Sequence, residues 1–235
     1  MRLVERRLPT EFDVTGDADA WPLTAHALLS RMTGTVDSVL RLQPTGRGAD
    51  AMTLVRSLYE HTVHFAWLAA DPTPERMGNW RKHDLTQRLK ADNDANSVGV
   101  QLYTPEQRTH FEAQRDALPG PKELVLANVA AEADDYWEPR IDFLQTRHQL
   151  RSFRGMYATA YRLQSGVAHP GERSIHPVVE DLTAVRKRVK LEDHIEGRGP
   201  YGIVSITYGL GLLIAAQALG WPSAHQVERV FSRYE

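Results

Sequence analysis

The segment from Tyr201 to Trp221, YGIVSITYGLGLLIAAQALGW, carries no charged residue. A run of this length is long enough to span a bilayer, so the chain must either give it to a membrane or surround it with protein. Ser205, Thr207, Gln217, two tyrosines and four glycines dilute its apolar character, and no second segment of the kind exists in the chain. We therefore read it as a buried helix, with a membrane anchor as the alternative. A helix that is apolar all round is usually central in a larger helical domain, and its glycines would let neighbouring helices approach closely.

The rest of the chain supplies helices to surround it. Thr73-Pro74-Glu75 and Thr104-Pro105-Glu106 each place a capping hydroxyl, a proline at the first helical position and an acid in the first turn. No run of alternating β-branched residues bounded by hairpin turns marks a strand. The periodicity predicts helices over about 18–42, 49–70, 74–95, 104–117, 121–135, 139–168, 200–219 and 223–233. The stretch 171–199 reads as an irregular excursion holding a short extended piece or another helix, and 1–17 as an N-terminal arm. The expected fold is an all-α, single-domain helical bundle over 1–235 with a buried apolar C-terminal helix.

Bulk properties narrow the function classes. At 235 residues the chain suits one substantial core rather than two ordinary domains. A formal charge of -2 argues against wholesale coating of nucleic acid or anionic membrane, although a local basic stripe is compatible with it. The chain has no cysteine, which excludes disulfides, thiolate metal sites and cysteine nucleophiles, and fits a reducing cytoplasm. Its first residues, MRLVERRLPTEFD, lack an apolar stretch of signal-peptide length, so a cytoplasmic location is expected.

Two stretches carry chemistry. In RSLYEHTVHFAWL, Leu54, Leu58, Phe65 and Leu68 fall on one apolar helical face, whereas Arg56, Glu60 and His64 fall within about 80° of one another on a second, polar face. Arg56 and Glu60 form an i,i+4 pair that is either solvated or joined to a neighbouring helix. His61 lies beside the apolar face and reads as a satisfied core histidine. Glu60 and His64 can also reach one cation, with His169 or His176 as a further ligand. The Glu-x-x-His repeat of di-metal bundles is missing, however, and no metal or other cofactor is expected.

The second stretch is RHQLRSFRGMYATAYRLQSGVAHP. On a continuous helix, Arg147, Arg151, Arg154, Arg162, Ser165 and His169 share one stripe within about 80°. A charged stripe is usually a solvated face. This one holds arginines without balancing acids, and arginine is the side chain suited to bidentate phosphate contacts. An arginine and a histidine on one face can cleave RNA without metal, the imidazole moving a proton and the guanidinium stabilising charge on the phosphate. Ser165 would bond the phosphate or cap the helix end.

These residues resemble the bacterial domain of unknown function 5677 family over roughly residues 20 to 220. The likeness rests on Arg56, Ser57, Leu58 and Glu60, followed by Trp67, Leu68, Asp71 and Pro72, and then on Tyr161, Arg162, Ser165, His169 and Pro170. It implies a helical fold and carries no agreed activity. A wider resemblance is to HEPN proteins, helical and often dimeric, many of them RNases of toxin and phage-defence systems. Their signature is an arginine and a histidine separated by four to six residues; Arg162 and His169 match it, as do Arg56 and His61. The resemblance implies RNA as a substrate or ligand, a homodimer, and an antitoxin or other protein partner.

The combined expectation is a HEPN-like fold. His169 would be its acid/base, Arg162 its phosphate stabiliser, and Ser165, Arg56 and Glu60 their support, with Arg147, Arg151 and Arg154 as an RNA track. The alternatives are a non-enzymatic binding module in which the Arg-Glu-Ser-His set is a buried polar network, and a metal-binding helical enzyme.

Overall fold

Thr73 and Thr104 both open helices. Thr73 accepts the N–H of Arg76 at 3.3 Å with Pro74 at the first helical position. Thr104 accepts the N–H of Gln107 at 3.3 Å while the Gln107 side chain accepts the N–H of Thr104 at 3.0 Å, a reciprocal capping box. The computed structural model describes residues 20–121, 123–141, 152–162, 179–181, 187–189 and 199–221. In chain order these form α1 (Ala20–Leu42), α2 (Gly48–Ala70), α3 (Pro74–Ser97), α4 (Pro105–Ala117) and α5 (Leu126–Trp137). Then come α6, an α turn over Phe153–Met156 continuing as a π-helix over Tyr157–Tyr161, and finally α7 (Gly199–Ala218). Two three-residue strands, Val179–Asp181 and Lys187–Val189, pair antiparallel within the predicted excursion, Glu180 opposite Arg188. The fold class is all-α, and the expected arm and last helix, 1–17 and 223–233, lie outside the described residues.

α2 is the centre of the bundle: α1, α5 and α7 all pack on it, while α4 packs on α3 and α6 on α5. Its expected apolar face is buried at Leu58, Phe65 and Leu68, and burial extends around it to Val55, Val63 and Ala66. The uncharged segment becomes α7. By length and composition alone its window Tyr201–Ala218 could cross a bilayer, but half of that window is buried inside the protein, including Leu210, Leu213 and Ile214. Its exposed positions are Gly202, Ser205 and Gln217, which are small or polar.

A glycine sets how closely α7 approaches. A Cβ on Gly211 would stand 2.4 Å from the Met32 terminal methyl of α1 and 3.3 Å from the Thr62 methyl of α2. Nearby, the Thr33 and Tyr208 hydroxyls meet at 2.8 Å and tie α1 to α7.

Two expected helices differ from the structure. The helix predicted from 121 begins only at Leu126, because the approach is held against α3: Lys82 bonds the carbonyls of Leu118 and Gly120, and the Leu124 N–H donates to His83 Nδ1 at 3.0 Å. The single helix predicted over 139–168 is interrupted. A 3-10 turn over Glu138–Arg140 ends at extended Ile141, and Ser152 is again extended, its hydroxyl capping the Gly155 N–H at 2.9 Å. Extended Ser152 therefore breaks the helical phase that would align Arg154 and Arg162 with residues before them.

Overpacking a helix contact of this closeness costs about 1–3 kcal/mol. Gly211→Leu should lower the melting temperature by about 3–10 °C for a chain of this size. Gly202→Ala, with nothing within 4 Å of its new methyl, should leave it unchanged or raise it slightly. Thermal unfolding followed by circular dichroism checks both.

Candidate functional site

Arg56 and Glu60, one turn apart on α2, are joined to a third group. Arg56 Nε donates to Glu60 Oε1 at 3.2 Å and Arg56 Nη2 donates to the Tyr161 hydroxyl at 3.0 Å. That hydroxyl donates to the same Glu60 oxygen at 2.8 Å, closing a triangle between α2 and the end of α6. The guanidinium also lies 4.9 Å from the Tyr161 ring centroid, and the ring stacks on Tyr157 with centroids 5.1 Å apart. Burial opposes the Arg56 charge, but the bonds to Tyr161 and Glu60 outweigh it and raise the guanidinium pKa above its ordinary value. Burial first, then the bond to Glu60, pushes the Tyr161 phenol up, so its proton stays in place to be donated.

The triangle is one wall of a cleft of about 600 Å³. Three histidines, His61 and His64 of α2 and His83 of α3, complete much of the lining, with Trp80 at its edge. His61 Nδ1 lies 2.6 Å from the Ser57 carbonyl oxygen, which can only accept, so Nδ1 carries a proton and the lone pair of the neutral ring is on Nε2. His83 has the opposite tautomer: its Nδ1 accepts from Leu124, leaving the proton on Nε2. Burial lowers the His83 pKa, partly offset by Glu123 and Asp84. His64 Nδ1 is shut off from solvent and has no partner among the described residues. Burial, then the neighbouring His83 and His61, push its pKa down to about 4, so at neutral pH its ring is uncharged.

The structure distributes the expected site residues unevenly. Arg56 and Glu60 meet in the clasp just described. Arg162 is exposed, and its neighbour Tyr161 rather than Arg162 stands in the cleft wall. The π turn explains the shift: each wider turn takes up an additional residue, so a face extrapolated at α-helical phase is misplaced by the end of α6. His61, expected in the core, is half-buried and lines the cleft, though its Nδ1 is satisfied as expected. Arg154, expected on an RNA track free of acids, is bonded to α5 instead, through the Ala131 carbonyl at 2.9 Å and the Asp135 carboxylate. Ser165, His169, Arg147, Arg151 and His176 lie outside the described residues. Among the described residues no group of three or more His, Asp or Glu is placed to hold a metal ion.

Sequence reasoning had no means to choose Tyr161, His83 and Trp80 as lining groups. Tyr161 was visible only as the first letter of a motif. His83 and Trp80 sit in a strongly polar helix and look like surface residues.

The other motif residues are structural. Trp67 is buried, its indole N–H donates to Glu132 at 2.7 Å, and Arg76 covers its ring at 4.8 Å while donating to its carbonyl at 2.8 Å. Asp71 follows as the C-cap of α2, and Pro72 breaks the chain before α3 begins.

A helical bundle whose central helix presents an arginine–glutamate clasp to a polar cleft defines the class of this protein. The chain belongs to a family of unknown function (DUF5677), whose family model matches residues 23–184. No curated protein and no solved structure matches the chain.

The His64 ring makes stability depend on pH. Its folded pKa lies below the ordinary 6.5, so as pH falls through 6.5 the unfolded chain takes up a proton that the folded protein refuses. The stabilisation is complete above about pH 6.5 and is lost progressively toward about pH 4, amounting to on the order of 3 kcal/mol over that window. Urea unfolding across pH 4–7 should show a shallower loss for His64→Leu than for the wild type.

The clasp should also register in stability. Tyr161→Phe keeps the ring's contacts with Tyr157 and Arg56 and removes the shared hydroxyl, so we expect a loss of about 1–3 kcal/mol by urea unfolding at neutral pH.

Proposed function

We propose that this protein is a HEPN-like, metal-independent endoribonuclease that binds its phosphodiester beside the polar cleft, on Arg162 and the segment that follows it, with RNA binding as its minimum activity. One observation carries this reading: the two motif elements of the chain meet at a single polar wall. Arg56 and Glu60 of the first hold Tyr161 of the second, and the Arg162–Ser165–His169 stretch continues from that held residue.

The chemistry needs no cofactor. One imidazole takes the proton of a ribose 2′-hydroxyl, the oxygen attacks the adjacent phosphorus, and the bond to the 5′ oxygen breaks as that oxygen receives a proton. A guanidinium stabilises the charge gathered on the phosphate. In this reading His169 is the acid/base and Arg162 the phosphate stabiliser, with Ser165 bonding a phosphate oxygen. His61, whose neutral ring has its lone pair on Nε2, is the additional base within the cleft. Arg56 and Glu60 position Tyr161, Arg147 and Arg151 form the RNA track, and Arg154 anchors α6. A homodimer would set two such sites side by side, and an antitoxin or other protein partner would restrain them.

A second reading is favoured by the closure of the triangle itself. Arg56, Glu60 and Tyr161 satisfy one another, which is what a structural polar network does when it locks two helices together.

Incubation of a mixed RNA pool with purified protein in EDTA separates the two. The wild type should cut, and His169→Ala and Arg162→Ala, shown to be folded, should cut about 100-fold less or worse. RNA binding should weaken steeply with salt. No cutting, or equal cutting by all three, overturns the nuclease reading and leaves the clasp as a structural joint.

A further inference from the structure

Trp80, His83 and Gln87, at positions i, i+3 and i+7 of α3, line the polar cleft and also a second, larger cleft of about 860 Å³ between α3 and α4. The two spaces therefore share one helical edge. The second differs in chemistry from the first. Phe111 of α4 lines it with Trp80, and the Phe111 ring is held edge-on by Tyr103 with centroids 5.0 Å apart. Both aromatic side chains are only half-buried, leaving ring surface to be covered.

The polar groups around these rings are unequal. Arg88 is committed to Asp84 at 2.8 Å. Arg81 is exposed and has no hydrogen bond or ion pair among the described residues, so it is the free cation of this cleft. The amides of Gln87 and Gln114 are likewise exposed and unpaired among the described residues. Each amide offers a donor and an acceptor, the pattern needed to read the edge of a nucleobase. A volume of this size falls in the range of sites that enclose a small ligand.

We infer that the α3–α4 cleft binds a nucleotide, its base against Trp80 and Phe111, its phosphate on Arg81, and its base edge on Gln87 and Gln114. Stacking on aromatic faces tolerates any base, and a single guanidinium suffices to hold one phosphate. The shared edge sets such a nucleotide beside the polar cleft, within reach of a single strand that crosses Trp80, His83 and Gln87. The inference stands on α3 and α4 alone and is independent of strand cleavage.

The test uses a short fluorescein-labelled oligodeoxyadenylate, which lacks the 2′-hydroxyl and so cannot be consumed by the proposed nuclease. Fluorescence anisotropy on the whole chain should show binding, weakened about tenfold by Phe111→Ala and by Arg81→Ala. Arg81 makes no contact that folding depends on, which keeps the test decisive if Phe111→Ala loosens α4. Displacement by adenosine monophosphate assigns the site to free nucleotides, and resistance to it assigns the site to a nucleic acid strand; either supports the inference. No binding of either probe, or binding that neither variant weakens, overturns it. A protein that binds in this way but cuts no RNA keeps the inference and loses the nuclease reading, and the reverse result does the opposite.

Discussion

The helix Gly48–Ala70 is covered on most of its circumference, so most polar groups that it buries, or that are pressed against it, take their partners inside the protein. Four such partnerships radiate from it. The Tyr59 hydroxyl donates to the Phe153 carbonyl at 2.8 Å, and the Trp137 indole donates to the Ala66 carbonyl at 2.8 Å. Trp67 reaches Glu132, and Glu60 receives Tyr161. A buried group left without its partner costs more than the bond itself contributes, so these contacts fix where α5 and α6 can sit. The apolar surface supplies the drive to collapse, and the polar partners select one arrangement.

The start of α6 shows the same logic from the other side. Asp134 of α5 is buried, and its two carboxylate oxygens accept the N–H groups of Phe153 and Arg154 at 2.8 Å each. Burial pushes its pKa up, while the two N–H groups and the Arg154 charge pull it down. A carboxylate at this place satisfies the first free donors of a helix and complements its dipole. With its beginning held by Asp134 and Tyr161 held by Arg56 and Glu60, α6 is anchored at two places, and its π-helical stretch Tyr157–Tyr161 carries the second anchor.

The cleft follows from that pinning. Tyr161 forms its wall because α6 meets α2 at Arg56 and Glu60, and the three histidines come together because α3, after the break at Asp71 and Pro72, brings His83 to the cleft lined by His61 and His64 of α2. Two of the imidazoles are tied through Nδ1 in opposite senses, and His64 Nδ1 has no partner among the described residues. With these two rings neutral, the cleft thus has one with its lone pair on Nε2 and one with its N–H there, a chemically asymmetric environment built from one residue type.

Much of this was legible in the chain. The uncharged stretch at Tyr201–Trp221 required surrounding helices, the Thr-Pro-Glu signals marked where α3 and α4 begin, and the i,i+4 spacing joined Arg56 to Glu60, because each of these depends on neighbours in sequence. What needed the tertiary structure was every choice among long-range partners: Tyr161 rather than Arg162 at the clasp, Arg154 bound to Asp135 rather than displayed, His61 in a cleft rather than the core. Helical phase is predictable only while the helix continues, and extended Ile141, extended Ser152 and the π turn each reset it. Sequence determined which helices form and which faces are apolar; packing alone decided which polar groups meet, since the penalty for burying a group unpaired is felt only after the helices come together.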